Sequence, residues 1–215
     1  MHIALLGPVE ARDDAEGPIS MSGARLRMLL ARLALEAGRP VSADSLIDGL
    51  WGEEPPADAL SALQALVSRL RRALRGSGTV EFGAGGYRLP VTKQDVDAHR
   101  FEELAAEGRR ALAAGRTEEA ADLLAGALAL WRGAALADIL DAAFAGPVAT
   151  RLEDLRTAAA EDHCDASLRL GRHAEVLADL TAAAAERPLS ERLAELRMRA
   201  LAASGRQSEA LAVFE

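Results

Sequence analysis

Apolar positions change their spacing along the chain, and each change marks an element. His2-Ile3-Ala4-Leu5-Leu6 is a short apolar run closed by Gly7-Pro8, and Gly17-Pro18-Ile19-Ser20-Met21 follows an acidic turn. The two runs predict a small N-terminal sheet. Leu26, Leu29, Leu30, Leu33 and Ala37 then recur at helical spacing between Gly23 and Gly38, which predicts a helix over 24–37. Ser42 is a suitable N-cap for a short helix over 43–50, ended by Gly52 and Pro55-Pro56. Asp58 opens a longer helix running to about Leu74, ahead of the Gly76-Ser77-Gly78 turn. Residues 79–82 and 87–89, joined by Gly83-Ala84-Gly85-Gly86, read as a β-hairpin. Strands, two helices, a longer helix and a hairpin form the order of a winged helix-turn-helix.

The pattern changes after Pro90. From Asp97 onward there is no strand-like alternation, only Ala- and Leu-rich helical stretches. Gly115-Arg116, Gly171-Arg172 and Gly205-Arg206 each begin the pattern Gly-Arg-x-x-Glu-(Ala/Val), the mark of a turn between two helices. Gly171 and Gly205 lie 34 residues apart, the period of tetratricopeptide helix pairs, whereas Gly115 and Gly171 lie 56 apart, which implies an insertion around 131–147. The expected fold is mainly α: a winged helix-turn-helix domain (α+β) over 1–92, then an all-α tetratricopeptide-like helical repeat over 97–215. Such repeats leave grooves suited to protein or peptide partners.

Composition narrows the function. Half of the 215 residues are hydrophobic, with one Tyr, two Trp and four Phe, which favours packed helices. No apolar run approaches the roughly 20 residues that cross a bilayer, and no leader pattern opens the chain, so a soluble, cytoplasmic protein without a membrane role is expected. The single Cys164 excludes an internal disulfide. The net charge of −8 argues against general affinity for nucleic acid, but it is unevenly spread. Residues 1–96 carry 11 basic and 12 acidic residues, and 97–215 carry 14 arginines against 21 acidic residues. Within 57–75, Arg69, Arg71, Arg72 and Arg75 face a single acid, Asp58.

On the third helix, Leu60, Leu63, Val67, Leu70 and Leu74 fall within a stripe of about 80° and are expected to pack inward. Opposite them lie Ser61, Ala65, Ser68 and Arg72, with Arg69 alongside and Gln64, Arg71 and Arg75 on the flank. Small residues admit a base edge, and arginines reach guanine O6 and N7 or phosphate. The same arginines could instead be solvated or favour the negative end of the helix dipole. The hairpin tips this balance towards DNA, since its glycine tip can approach a sugar-phosphate backbone and Arg88 can neutralise phosphate. Tyr87 could touch DNA or anchor the wing to the core. A phosphate-binding loop at Gly83–Gly86 is disfavoured, because no Gly-Lys-(Ser/Thr) or helix follows.

Enzyme chemistry is poorly supported. His163 and Cys164, as helix neighbours, point about 100° apart, and His2, His99 and His173 lack metal-ligand spacing. No catalytic residue, metal or cofactor is expected. A pure protein-binding scaffold is the main alternative.

Leu5-Leu6-Gly7-Pro8-Val9-Glu10, the run from Leu46 through Trp51-Gly52-Glu53-Glu54-Pro55-Pro56, Val67-Ser68-Arg69-Leu70-Arg71-Arg72 and Gly86-Tyr87-Arg88-Leu89 resemble the Streptomyces antibiotic regulatory protein family. Val96-Asp97-Ala98-His99-Arg100-Phe101, Leu130-Trp131-Arg132-Gly133 and Gly171-Arg172-His173-Ala174-Glu175 are similar to the bacterial transcriptional activator domain that follows its OmpR-type winged helix. The resemblance implies an activator of antibiotic gene clusters that binds direct repeats in double-stranded promoter DNA. Its partners would be RNA polymerase, including the sigma subunit, and a second copy side by side on DNA. Carried over by motif, DNA contacts fall on Ser68, Arg69, Arg71 and Arg72, with Ala65 one turn earlier and Arg25 and Arg27 as backbone candidates. The sequence stops inside an apparent helix at 211–215, from which a longer regulator is expected. On this division of labour, the first domain alone is expected to retain weakened but selective DNA binding.

Overall fold

A computed structural model of the protein describes residues 1–13, 15, 17–74 and 79–213. Three antiparallel strands, β1 (His2–Ala4), β2 (Glu10–Asp13) and β3 (Gly17–Ile19), pair in that order, with Ile3 opposite Ala11 and Ala11 opposite Ile19. The middle strand lies in a stretch the sequence presents as loop and acidic turn. Its only inward residue is Ala11, 1% exposed between polar neighbours, too small to announce a strand.

Helix α1 (Ala24–Leu35) is buried over most of its surface and ends where Ala37 and Gly38 take positive φ. Helix α2 (Ala43–Trp51) starts at Ser42, whose hydroxyl accepts the Ser45 N–H at 3.1 Å. Helix α3 (Ala59–Ala73) starts at Asp58, whose carboxylate accepts the Ser61 N–H at 3.0 Å. The hairpin β4 (Glu81–Gly83) and β5 (Gly86–Arg88) is tied back by paired bonds of 2.8 Å between Val41 and Tyr87. Only glycine fits at Gly86, with φ of 112°, because a Cβ there would lie 2.1 Å from the Val41 carbonyl oxygen.

A 3₁₀ turn (Lys93–Asp95) leads to α4 (Asp97–Ala113); α5 (Thr117–Leu128), α6 (Ala145–Arg169), α7 (His173–Glu186), α8 (Glu191–Ala203) and α9 (Gln207–Ala212) follow. The chain divides into two compact units, one of residues 1–102 and 130–154 and the other of 103–129 and 155–215. The insertion anticipated between the first and second Gly-Arg turns therefore belongs to the unit that holds the winged helix.

Within that first unit the distant segments satisfy the backbone after β1. The Asp97 carboxylate accepts the N–H groups of Leu5 at 2.6 Å and Leu6 at 3.1 Å. Burial pushes the Asp97 carboxyl above its ordinary range, and the two N–H donors draw it back. Arg132 N–H donates to Leu6 and Leu136 N–H to Leu5, while Asp138 accepts from Val9 N–H at 2.8 Å. Trp131 meets the fully buried Phe101 edge to face, with ring centroids 5.2 Å apart.

In the second unit each Gly-Arg pair closes its helix in the same way. Gly115, Gly171 and Gly205 have φ between 75° and 79°, and the N–H groups of Arg116, Arg172 and Arg206 reach back 2.9 Å to the carbonyls of Ala111, Ser167 and Leu201. This is the Schellman stop, and a left-handed residue is what glycine supplies. Cys164, Val176, Leu180, Leu193, Leu196 and Ala200, from α6, α7 and α8, form a core on both sides of the second of these turns. Burial pushes the Cys164 thiol up to about 11, so it packs as a small apolar group and is not a nucleophile at neutral pH.

Asp165 is 3% exposed and bonded by Arg169 at 2.7 Å and Arg199 at 2.8 Å, with Arg192 at 3.7 Å. Burial opposes its ionisation, but the two arginine hydrogen bonds prevail and hold the carboxyl below its ordinary range. Its contribution to stability is therefore complete above the usual aspartate value and lost as pH falls through the lowered one. Asp165→Asn should melt at a lower temperature at neutral pH and show a shallower decline into acid. Parallel melting curves for variant and parent across pH would contradict this role.

Candidate nucleic-acid interface

The exposed face of α3 is set from its buried side outward. Leu63, Leu66, Val67, Leu70 and the following Leu74 are buried in the three-helix core. One sequence expectation is corrected: Leu60 is 50% exposed, and Leu66 takes an inward place instead. By angle Leu60 continues the stripe, but it lies in the first turn of the helix, where no described residue is fully buried before Leu63. Ser61, Gln64, Ala65, Ser68, Arg69, Arg71 and Arg72 all lie exposed. Hydrogen bonds from the Ser61 hydroxyl and N–H hold Asp58 below the ordinary carboxyl range, so the capping anion persists.

The arginines divide by what holds them. Arg71 Nε donates to the Val80 carbonyl at 2.7 Å, bracing α3 against the chain that enters the wing. Arg69 donates to the Ser22 carbonyl at 3.1 Å, towards the start of α1. Arg72 makes one long bond, 3.4 Å to the Ser68 carbonyl, among the described residues. It shares its face with Gln64, Ala65 and Ser68. Arg75 lies outside the described residues.

The remaining candidates are more occupied. Arg25 is exposed, with a guanidinium nitrogen 3.2 Å from the Met28 sulfur. Arg27 donates to the Met21 carbonyl and pairs with Asp138 at 2.5 Å. Tyr87 is 6% exposed, so its side chain sits on the packing side of the hairpin. Arg88 is half exposed and paired with Glu81 across the two strands. Phe82 was not singled out by sequence reasoning, yet it is 68% exposed on the wing. Its only signal is an aromatic directly before the glycine tip, which reads equally well as hairpin packing.

Among the described residues, no group of three or more His, Cys, Asp or Glu could hold a metal ion, and no helix is long and apolar enough to span a membrane. A short helix-turn-helix that displays small and cationic side chains, backed by a glycine-tipped wing and followed by helical repeats, defines a winged-helix transcriptional regulator. The family profile "Transcriptional regulatory protein, C terminal" matches residues 18–89, and "Bacterial transcriptional activator domain" matches residues 96–215. The chain belongs to the bacterial transcriptional activator domain family, in the Streptomyces antibiotic regulatory protein group that joins this domain to an OmpR-type winged helix.

It is 42% identical to regulatory protein AfsR of Streptomyces griseus, over 100% of this chain and 22% of the relative. It is 38% identical to regulatory protein DnrI of Streptomyces peucetius, over 100% of this chain and 82% of that protein. The chain thus spans about a fifth of AfsR and most of DnrI. A solved structure of Mycobacterium tuberculosis EmbR in complex with a low affinity phosphopeptide superposes with a TM-score of 0.92 at 35% identity, covering 99% of this chain and 57% of that one.

Proposed function

We propose that this protein is a sequence-specific DNA-binding activator of antibiotic biosynthesis genes, working in the cytoplasm. One observation carries the reading: Gln64, Ala65, Ser68 and Arg72 form a continuous exposed strip on a helix whose opposite side is buried. A helix of this kind fits the major groove, with Ala65 and Ser68 admitting base edges and Arg72 reaching guanine O6 and N7. Arg69 and Arg25 are placed in the reading as phosphate contacts, which position the helix without selecting sequence. Arg71 acts by holding the wing to α3.

In this reading two copies bind direct repeats side by side, and the acidic helical repeat meets its neighbour or RNA polymerase with the sigma subunit rather than DNA. A footprint on promoter DNA with and without polymerase tests it. Protection in two equal blocks on one face of the duplex, extended towards the promoter when polymerase is added, is the expected result. Protection of a single block, unaltered by polymerase, would remove both the repeat and the recruitment.

A further inference from the structure

The wing of a DNA-binding domain is commonly thought of as a cationic finger, and this one has no net charge to offer. Residues 79–89 contain one acid, Glu81, and one base, Arg88, and the two are paired with each other. What the wing does present is an aromatic ring. Among the described aromatic residues, Phe101 and Tyr87 are buried, Trp51, Trp131 and Phe144 are half-buried, and Phe82 alone is exposed, at 68%.

Phe82 is also held in place. Its ring leans on Tyr87, its cross-strand partner, at 4.9 Å between centroids, and Tyr87 is anchored to Val41 through two backbone bonds. Two residues earlier, the Val80 carbonyl is fixed to Arg71 of α3. The ring is therefore held from two sides, through Tyr87 by the segment before α2 and through Val80 by α3. Beyond it, a Cβ added at Gly83 would meet nothing within 4 Å, so a groove wall can come close to the backbone there.

Resting on the DNA-binding reading above, we propose that Phe82 is the wing's contact with DNA, laying its ring on the deoxyribose faces that line the minor groove next to the major-groove site of α3. Apolar side chains at a minor groove bind by excluding water from sugar and base edges and displace no counterion. This separates Phe82 from any arginine by its salt dependence. A phosphate contact changes the slope of log K against log salt by about 0.9 per charge, whereas a sugar contact leaves it alone.

The test uses the full chain and a duplex that it has itself enriched from a random-sequence pool. Phe82→Ala should weaken binding about tenfold at every salt concentration, with an unchanged slope. Phe82→Leu, which keeps apolar bulk, should recover most of the loss, and Phe82→Gln, which keeps length but is polar, should show the loss and stands in if the alanine variant fails to fold. Glu81→Gln, which releases Arg88, should leave the Phe82 effect intact while steepening the slope. Unchanged affinity in Phe82→Ala, or in Phe82→Gln where it stands in, or a loss accompanied by a slope change of about one, would overturn the proposal. A parent chain that enriches no duplex at all would instead sink the DNA-binding reading on which it rests.

Discussion

Residues 1–92 produced alone are expected to show no cooperative unfolding transition, although they contain every strand and helix of the winged helix. Removing the rest strips Leu5 and Leu6 of the Asp97 carboxylate, Val9 of Asp138, and the Leu5 and Leu6 carbonyls of the Leu136 and Arg132 N–H groups. A buried backbone group left without a partner costs about 1–3 kcal/mol, and a whole domain is stable by only about 5–15 kcal/mol. Ile3, Leu5 and Leu6, at most 1% exposed, would also lose the bridge from Ile3 to Val96 and the segment around Leu136 that bonds to Leu5. Water would relieve some of the polar cost, but only by opening this apolar layer.

The full-chain variant Asp97→Ala isolates the polar part. It should lose about 2–3 kcal/mol in urea unfolding with little change in slope, because two N–H donors lose one acceptor. The sequence alone predicts weakened but selective DNA binding by the first domain; hydrogen bonds spanning some 90 to 130 residues bear on whether that fragment folds. A fragment 1–92 that melts cooperatively near the full-chain temperature would show that residues 97–102 and 130–154 merely lie against it.

Arg72→Ala and Arg71→Ala, adjacent on α3 and equal in charge, should fail in different ways. Loss of Arg72 should cost about 1–3 kcal/mol at the selected site and relax preference at one base pair, with a smaller loss on random duplex. Arg71 donates to Val80, and in the proposed reading it acts through the wing. Its removal should lower thermal stability and weaken binding to all sequences alike. Competition binding with selected and random duplexes distinguishes the two. If Arg71→Ala relaxed selectivity and Arg72→Ala did not, the roles would be exchanged.

What the sequence disclosed and what it hid follow one physical division. Leu63, Val67, Leu70 and Leu74 repeat at the helical period, so the buried side of α3, and with it the exposed side, could be read directly. The Gly-Arg turns were legible because a left-handed stop demands glycine locally. By contrast, β2 holds one small inward residue, and its pairing depends on strands to either side. The employment of Arg27 by Asp138, Arg71 by Val80 and Arg88 by Glu81 depends on which chain segments meet, so the sequence shows equivalent cations where the fold engages some within the protein. Phe82 and Tyr87 are cross-strand partners on one face of the hairpin, and only packing decides that Tyr87 is covered and Phe82 is not.

The most direct measurement is methylation protection of guanine N7, an atom reached only from the major groove, across a duplex selected by the full chain. Protected guanines confined to successive major-groove faces, with one of them released in Arg72→Ala, are the expected result. Full methylation at saturating protein, or a pattern identical in the parent and Arg72→Ala, would contradict the assignment of this helix face to DNA.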